Sequence, residues 1–242
     1  MRLSVIIPAY NEESRLPGTL EAVDAYLKKQ DYDYEILVVN DGSTDRTADL
    51  AASLQKRIEY LEIIDNKENH GKGYVVRQGM RKAKGDFRLF MDADNSTTVD
   101  HVEKMWPHFF EGGYDLVIGS RDLPDSIIPV SQSCLRRRLG DMFNLIVQVF
   151  SGLWGIWDTQ AGFKGFSAKA AEDVFSRAVV NRWAFDVEAL VIAKKLGYRI
   201  KEVPLTWVND PHSKVKLTGM VRMFFEVLQV RFNSIRGKYG KA

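Results

Sequence analysis

Phe87-Arg-Leu-Phe-Met-Asp-Ala-Asp94 reads as a buried strand that ends in two carboxylates. Asp92 and Asp94 stand two residues apart, so an extended backbone points both side chains the same way. Two carboxylates at a strand end suit a divalent ion better than a core. Mg2+ or Mn2+ takes oxygen ligands and is commonly shared between one or two carboxylates and a substrate's phosphates. Asp-x-Asp is a common pattern, and in isolation a solvated loop after a strand is its simplest account. Its meaning here comes from the segments around it.

Upstream, Leu3–Pro8 and Tyr34–Asn40 are short apolar runs, as expected of strands covered on both faces. Pro8 is expected to end the first, and Ser14–Lys29 follows with Leu16, Leu20, Val23 and Leu27 at helical spacing. The second ends in Asn40-Asp-Gly-Ser-Thr-Asp45, a turn in which Ser43 or Thr44 is expected to cap a helix through Leu54. Tyr60–Ile64 is a third strand. Asn69-His-Gly-Lys-Gly73 then opens a helix over Tyr74–Lys84. It lacks the spacing of a Walker phosphate loop, yet Lys72 is a glycine-flanked lysine at a helix N-terminus, a place that favours anions. A helix over Val99–Phe110 follows the two aspartates.

Strands alternating with helices imply an α/β fold with a mostly parallel, Rossmann-like central sheet and helices on both faces. Such sheets bind ligands beyond the carboxyl ends of their strands. The Pro8–Glu12 segment, Asp41 and the Asp92/Asp94 pair all fall at such ends, so one rule of topology brings three separate features to one cleft.

The chain has 242 residues, enough for one large α/β domain, and we find no repeat or linker, so 1–242 is read as one domain. Its net charge of +2 gives no general argument for nucleic acid as a partner. Cys134 is the single cysteine, which excludes an internal disulfide and favours a reducing compartment. The N-terminus runs directly into a strand and lacks a signal-peptide pattern. Met142–Trp157 is the longest apolar stretch but is broken by Asn144, Gln148 and Ser151. As a helix it would be about 24 Å long, short of a hydrocarbon core of about 30 Å.

The second half holds a strand at Asp115–Ser120, a basic run at Arg136–Arg138, a strand at Gly162–Ser167, a helix at Ala168–Arg177, a helix stopping at Gly197 and a last strand at Arg199–Val208. Leu217–Ile235 is an amphipathic helix, read as a core or partner helix ahead of a membrane one. Trp154 and Trp157 suit interfacial contact. Asp186 and Glu188 are read as partners of Arg182 or as lining an acceptor site. His70, His101, His108 and His212 show no metal-ligand spacing and are read as incidental.

Val5-Ile-Ile-Pro-Ala-Tyr-Asn-Glu12, Val39-Asn-Asp-Gly-Ser43 and Asp92-Ala-Asp94 resemble the nucleotide-sugar half of the family 2 glycosyltransferases, which have a GT-A fold. Asp158-Thr-Gln-Ala-Gly-Phe-Lys-Gly-Phe166, Arg182-Trp-Ala-Phe-Asp-Val-Glu188 and Ser213-Lys214 look like the branch that glucosylates dolichyl phosphate, related to the mannosyl branch. The resemblance implies a nucleotide-sugar half at about 1–120 and an acceptor half at about 121–242 with membrane-facing helices. Pro8, Tyr10, Glu12 and Asp41 would hold the nucleoside, with Lys72 and Asp92 beside the nucleotide. Asp92 and Asp94 would bind Mg2+ or Mn2+. Arg121, Arg136, Arg137, Arg138 and Lys214 would meet phosphates of the acceptor side, and Asp158 falls at the place of a candidate base. The expected activity is inverting, metal-dependent transfer of a hexose, glucose first, from a nucleotide sugar such as UDP-glucose to a polyprenyl phosphate. The expected location is the cytoplasm, peripheral on a membrane's cytoplasmic face. Two alternatives stand beside it: an enzyme of the same fold with a hydroxyl acceptor, which would need Asp158 as a base, and a regulator that binds nucleotide sugars without turnover.

Overall fold

The computed structural model describes residues 1–129, 144–208 and 217–240. Seven strands form one sheet: β1 (Arg2–Ala9), β2 (Asp33–Asp41), β3 (Leu61–Asn66), β4 (Phe87–Met91), β5 (Leu116–Ser120), β6 (Phe163–Ser167) and β7 (Ile200–Pro204). Its order is β3-β2-β1-β4-β6-β5-β7. All neighbours are parallel except β6, which runs against both β4 and β5. β1 and β2 are buried nearly end to end, as their uninterrupted apolar runs require of central strands.

Helices α1 (Leu16–Leu27), α2 (Thr47–Gln55) and α4 (Trp106–Phe110) pack on one face. The other face carries α3 (Lys72–Lys82), α5 (144–151), α6 (Ala168–Phe175), α7 (Phe185–Leu196) and α8 (Leu217–Ile235). The chain leaves β1 outward through β2 and β3, then returns on the far side of β1 to make β4. The crevice between the carboxyl ends of β1 and β4 is therefore the switch point at which such sheets take ligands. Because β6 is antiparallel, the chain enters it at this same edge, with Phe163 opposite Met91. The segment 158–162 is thereby delivered to the Asp92 side of the molecule.

Three local expectations differ. Pro8 lies inside β1: pairing with β4 is complete by Ile6, and only β2 borders the strand at Pro8, where a missing N–H is tolerated. Ser43 and Thr44 do not cap α2. Ser43 Oγ bonds Asn40 Oδ1, and the first-turn N–H of Thr47 donates to Asp45 Oδ1 at 3.0 Å. The helix expected over Val99–Phe110 splits into a 3-10 turn, Val99–Lys104, and α4, because Pro107 cannot continue the backbone ladder from the preceding turn.

Candidate active site

The loop after β2 and the loop before α3 are built on Asp41. This buried carboxylate accepts the His70 N–H at 2.7 Å, the Gly71 N–H at 2.9 Å and the Asn69 side-chain amide at 2.9 Å. Asp41 thus shapes the loop that presents Lys72, a role its turn sequence did not reveal. Gly71 has φ of 103°, a conformation that favours glycine. The N–H groups of Gly73 and Tyr74 donate to the carbonyls of Arg182 and Asn181 at 3.1 and 3.0 Å. Those donors are therefore taken by backbone, and it is the Lys72 side chain, not the α3 N-terminus as a whole, that is presented to the crevice.

Lys72 Nζ lies 2.5 Å from Asp92 Oδ1. Burial disfavours its charge, but Asp92 and Asp186 outweigh that and hold its pKa above the usual lysine value. Asp92 is pinned from the other side as well: its N–H donates to the Gly162 carbonyl at 3.1 Å. A Cβ on Gly162 would stand 2.0 Å from Asp92 Oδ2, so the cradle of this carboxylate exists only with glycine there. Asp94 Oδ1 accepts the Ser96 N–H at 2.9 Å, next to Asn95 at φ of 54°.

Asp92 and Asp94 are half-buried hard-oxygen donors at the crevice. Among the described residues no group of three or more His, Cys, Asp and Glu converges on a metal position. This donor set fits an ion that completes its shell with substrate phosphates and water, the habit of Mg2+. Both the two carboxylates and the glycine cradle of Asp92 suit such an ion.

The segment Tyr10–Glu13 is sewn to the loop after β2. Asn11 N–H donates to Ser43 Oγ and Glu12 N–H to Thr47 Oγ1, at 2.9 and 2.8 Å. Glu12's carboxylate grips Arg15, with contacts of 2.6 and 2.7 Å, while the Tyr10 ring is exposed at the crevice end of β1. Pro8 is buried beneath it.

Arg121 follows β5 and meets Asp158 in a fork: Nε to Oδ2 at 2.7 Å and Nη2 to Oδ1 at 2.9 Å, with the Arg121 N–H also on Oδ2 at 2.9 Å. Asp158 is 3% exposed. Burial alone would raise its pKa, but Arg121 overrides that and holds it at about 2. The Asp158 loop is fixed by Glu202 on β7, whose two oxygens accept the N–H groups of Trp157 and Asp158 at 2.9 Å each. The Arg121 guanidinium lies over the Trp207 ring at 5.3 Å, a cation–π contact.

Lys164 is fully buried on β6 and bonds Asp186 at 2.8 Å, the Ala161 carbonyl and the face of Phe90. Burial pushes the Asp186 carboxyl up against the pull of Lys164 and Lys72. Asp186 is therefore the partner of Lys164, and Glu188 that of Tyr239 and two backbone amides, instead of either pairing with Arg182. His101, read as incidental, accepts the Thr206 N–H on Nε2 at 2.9 Å and ties the chain after β7 to the 3-10 turn. Arg136, Arg137, Arg138, Lys214, Cys134 and His212 lie outside the described residues.

Sequence reasoning had no signal for Glu202 or Trp207, which act through tertiary contacts. Gly162 and Lys164 stood inside a quoted motif, but their partners are 70 or 22 positions away and only the sheet order brings them together.

The chain matches Glycosyl transferase family 2 over residues 4–175. It is 35% identical over 240 residues to a dolichyl-phosphate beta-glucosyltransferase of Trichomonas vaginalis, covering 94% of this chain and 72% of the relative. The protein of that name from Drosophila melanogaster is 37% identical, with 89% and 69% covered, and that from Homo sapiens 33%, with 98% and 77%. Among solved structures, mannosyl-3-phosphoglycerate synthase from Rubrobacter xylanophilus superposes with a TM-score of 0.74 at 19% identity, covering 98% of this chain and 75% of that one. Glucosyl-3-phosphoglycerate synthase from Mycobacterium tuberculosis, in complex with Mn2+, UDP and glucosyl-3-phosphoglycerate, gives 0.69 at 17%, covering 96% and 79%. These likenesses establish the GT-A fold. The sequence matches go further: these relatives are 33–37% identical with 89–98% of the chain covered, and together with the family match they make it a glycosyltransferase belonging to family 2.

Proposed function

We propose that the protein moves a hexose, glucose ahead of others, from a nucleoside diphosphate sugar to a polyprenyl phosphate, with inversion at the anomeric carbon. The names of its relatives support the glucose and the dolichyl-type acceptor. The observation that carries the choice of acceptor is the Arg121–Asp158 fork. A hydroxyl acceptor needs a base to take its proton, and a carboxylate at about 2, with both oxygens on an arginine, is a poor one. A phosphate acceptor is already anionic and needs none.

In this reading the acceptor oxygen attacks the anomeric carbon, and the bond to the nucleoside diphosphate breaks with its electron pair leaving on the diphosphate. Asp92 and Asp94 would hold Mg2+ or Mn2+. Such an ion, when bound, supplies Lewis-acid stabilisation of the leaving diphosphate. Lys72 supplies a fixed positive charge beside it. Arg121, oriented by Asp158 and stacked on Trp207, turns its cation towards the acceptor phosphate. Pro8, Tyr10, Glu12 and Asp41 frame the nucleoside, and Arg136, Arg137, Arg138 and Lys214, outside the described residues, would supply positive charge for the acceptor's phosphate.

Peripheral membrane binding belongs to the same reading. None of the described helices is long and apolar enough to cross a membrane. Yet α8 exposes Val221, Phe225, Phe232 and Ile235 on one face, and α5 and the turn after it expose Leu145, Val149, Trp154 and Trp157. Phe150 and Phe224 join the two elements at 6.0 Å. Trp157 immediately precedes Asp158, so this apolar surface borders the acceptor side of the site.

The test is a transfer assay with labelled UDP-glucose, Mn2+ and a polyprenyl phosphate, with Asp94→Ala as control. Label in the organic phase that disappears with the substitution is the expected result. Label only in a hydroxyl-bearing acceptor would overturn the reading.

A further inference from the structure

The loop that carries Lys72 does not stand alone. Its Gly73 and Tyr74 N–H groups rest on the carbonyls of Arg182 and Asn181. The approach is close: a Cβ on Gly71 would lie 2.5 Å from the Asn181 oxygen, and one on Gly73 would lie 2.6 Å from both the Val180 oxygen and the Phe185 Cβ. Segment 179–184 is thus a shelf beneath the loop, and its shape sets the position of Lys72.

Two carboxylates hold that shelf, one at each end. Glu188 Oε2 accepts the N–H groups of Val179 and Val180 at 2.9 and 2.8 Å. Glu226 Oε2, from α8, accepts those of Trp183 and Ala184 at 2.9 Å each. The second pair lies at the start of α7, whose N-cap Ala184 has no side-chain oxygen to satisfy the helix's free donors. Glu188 is itself locked: its Oε1 accepts the hydroxyl of Tyr239 at 2.6 Å, and Asn233 donates to that hydroxyl at 3.1 Å. Glu188 and Tyr239 are both fully buried.

We infer that Glu226 and Glu188, the latter with Tyr239, are positioning residues for the donor site, acting on Lys72 through segment 179–184. This rests on the proposed use of Lys72 at the nucleotide. Two elements outside the sheet, α8 and the chain after it, thereby set the geometry of the Lys72–Asp92 pair.

The experiment uses the full chain and two readouts. Calorimetric titration with UDP and Mn2+ measures the donor site, and hydrogen exchange of residues 71–74 without nucleotide measures the loop itself. Glu226→Ala is expected to weaken UDP binding about tenfold, to raise the donor KM and lower kcat with little change in acceptor KM, and to speed exchange at Gly73 and Tyr74. Glu226→Gln is expected to stay near wild type in both, because one carbonyl oxygen can still accept both N–H groups. Should the alanine variant fail to fold, Tyr239→Phe decides: it leaves Glu188 one donor short and is expected to move both readouts in the same direction. Unchanged UDP affinity and unchanged exchange in the folded variants would overturn the inference, as would a rise in acceptor KM alone. Wild-type protein that binds no UDP would instead sink the nucleotide reading, and the exchange measurement would still decide whether the shelf holds the loop.

Discussion

Asp158 accepts three hydrogen bonds from Arg121, two from the guanidinium and one from the backbone N–H, all within 2.9 Å. An arginine committed in this way is oriented but keeps outward N–H groups for a phosphate. The carboxylate gains its low pKa from the same bonds. The two residues are best regarded as one unit.

Asp158→Asn separates the positioning role from the base role. Loss of a base lowers kcat at saturating acceptor, whereas loss of Arg121's orientation raises the acceptor KM. We expect the second, a rise of about tenfold or more, with UDP affinity unchanged. Leaving the Arg121 cation unpaired costs about 3 kcal/mol of stability. The pH dependence follows from the depressed pKa. Asp158's contribution is fully present above its ordinary value of 3.8 and is lost as pH falls through about 2. Urea unfolding of wild type and variant should therefore differ by a constant amount from pH 5 to 8, and the gap should shrink only below about pH 4.

Gly162→Ala tests the cradle of Asp92. The added methyl group would overlap the carboxylate oxygen, and the side chain must rotate away from the position it shares with Lys72. Mn2+-dependent UDP affinity is expected to fall by about tenfold, with a loss of stability of about 1–3 kcal/mol from overpacking. Titration with UDP in the presence and absence of Mn2+ checks it: the substitution should act chiefly on the metal-dependent part.

Most of the fold was legible from the N-terminal half, because buried parallel strands announce themselves as apolar runs and the loops at their carboxyl ends are polar. Asp92 and Asp94 were legible for the same reason. What was not legible depends on sheet order. Nothing in the local pattern says that Phe163–Ser167 runs antiparallel between β4 and β5, and that inversion is what sets Gly162 on Asp92. Nor does spacing along the chain reveal that Glu202 holds the Asp158 loop or that Asp41 spends its carboxylate on the loop before α3. Spacing offers Asp186 a partner in Arg182, four positions away, or a place lining an acceptor site; the lysine it pairs with is 22 positions upstream on a strand.

Lys72→Met should divide the behaviour of metal and nucleotide. Lys72 Nζ occupies Asp92 Oδ1, so any cation arriving at that oxygen must compete with it. Its raised pKa keeps it charged through neutral pH, and the stabilisation from the pair is lost only as pH rises through that value. Removing the ammonium frees the carboxylate while deleting a charge that, in the proposed reading, faces the diphosphate. Electron paramagnetic resonance of Mn2+ without nucleotide should show tighter binding than wild type, by a few-fold. UDP affinity should fall by about tenfold, as for one lost charge-assisted contact. Weaker Mn2+ binding in the variant would mean that Lys72 does not compete at Asp92.

The exposed face of α8 and the turn after α5 gives the last prediction. Phe225 is 63% exposed and Trp154 60%, and both are large apolar side chains that contribute nothing to the core in that position. Arg222 and Arg231 are exposed on the same helix and Arg236 just after it, and Arg236 lies over the Phe232 ring at 4.0 Å. Basic residues beside an anionic leaflet contribute about 1 kcal/mol each, and aromatic side chains settle at the headgroup level. Binding to vesicles containing anionic lipid should therefore be reversible and weakened by salt. Phe225→Ser with Trp154→Ser should reduce co-sedimentation with such vesicles by about tenfold. Transfer to a short-chain, water-dispersed polyprenyl phosphate should be nearly unaffected, because both side chains are turned to solvent. Equal loss of activity on the short-chain and vesicle-borne acceptors would show that the apolar face serves the folded protein or the acceptor pocket and not the membrane.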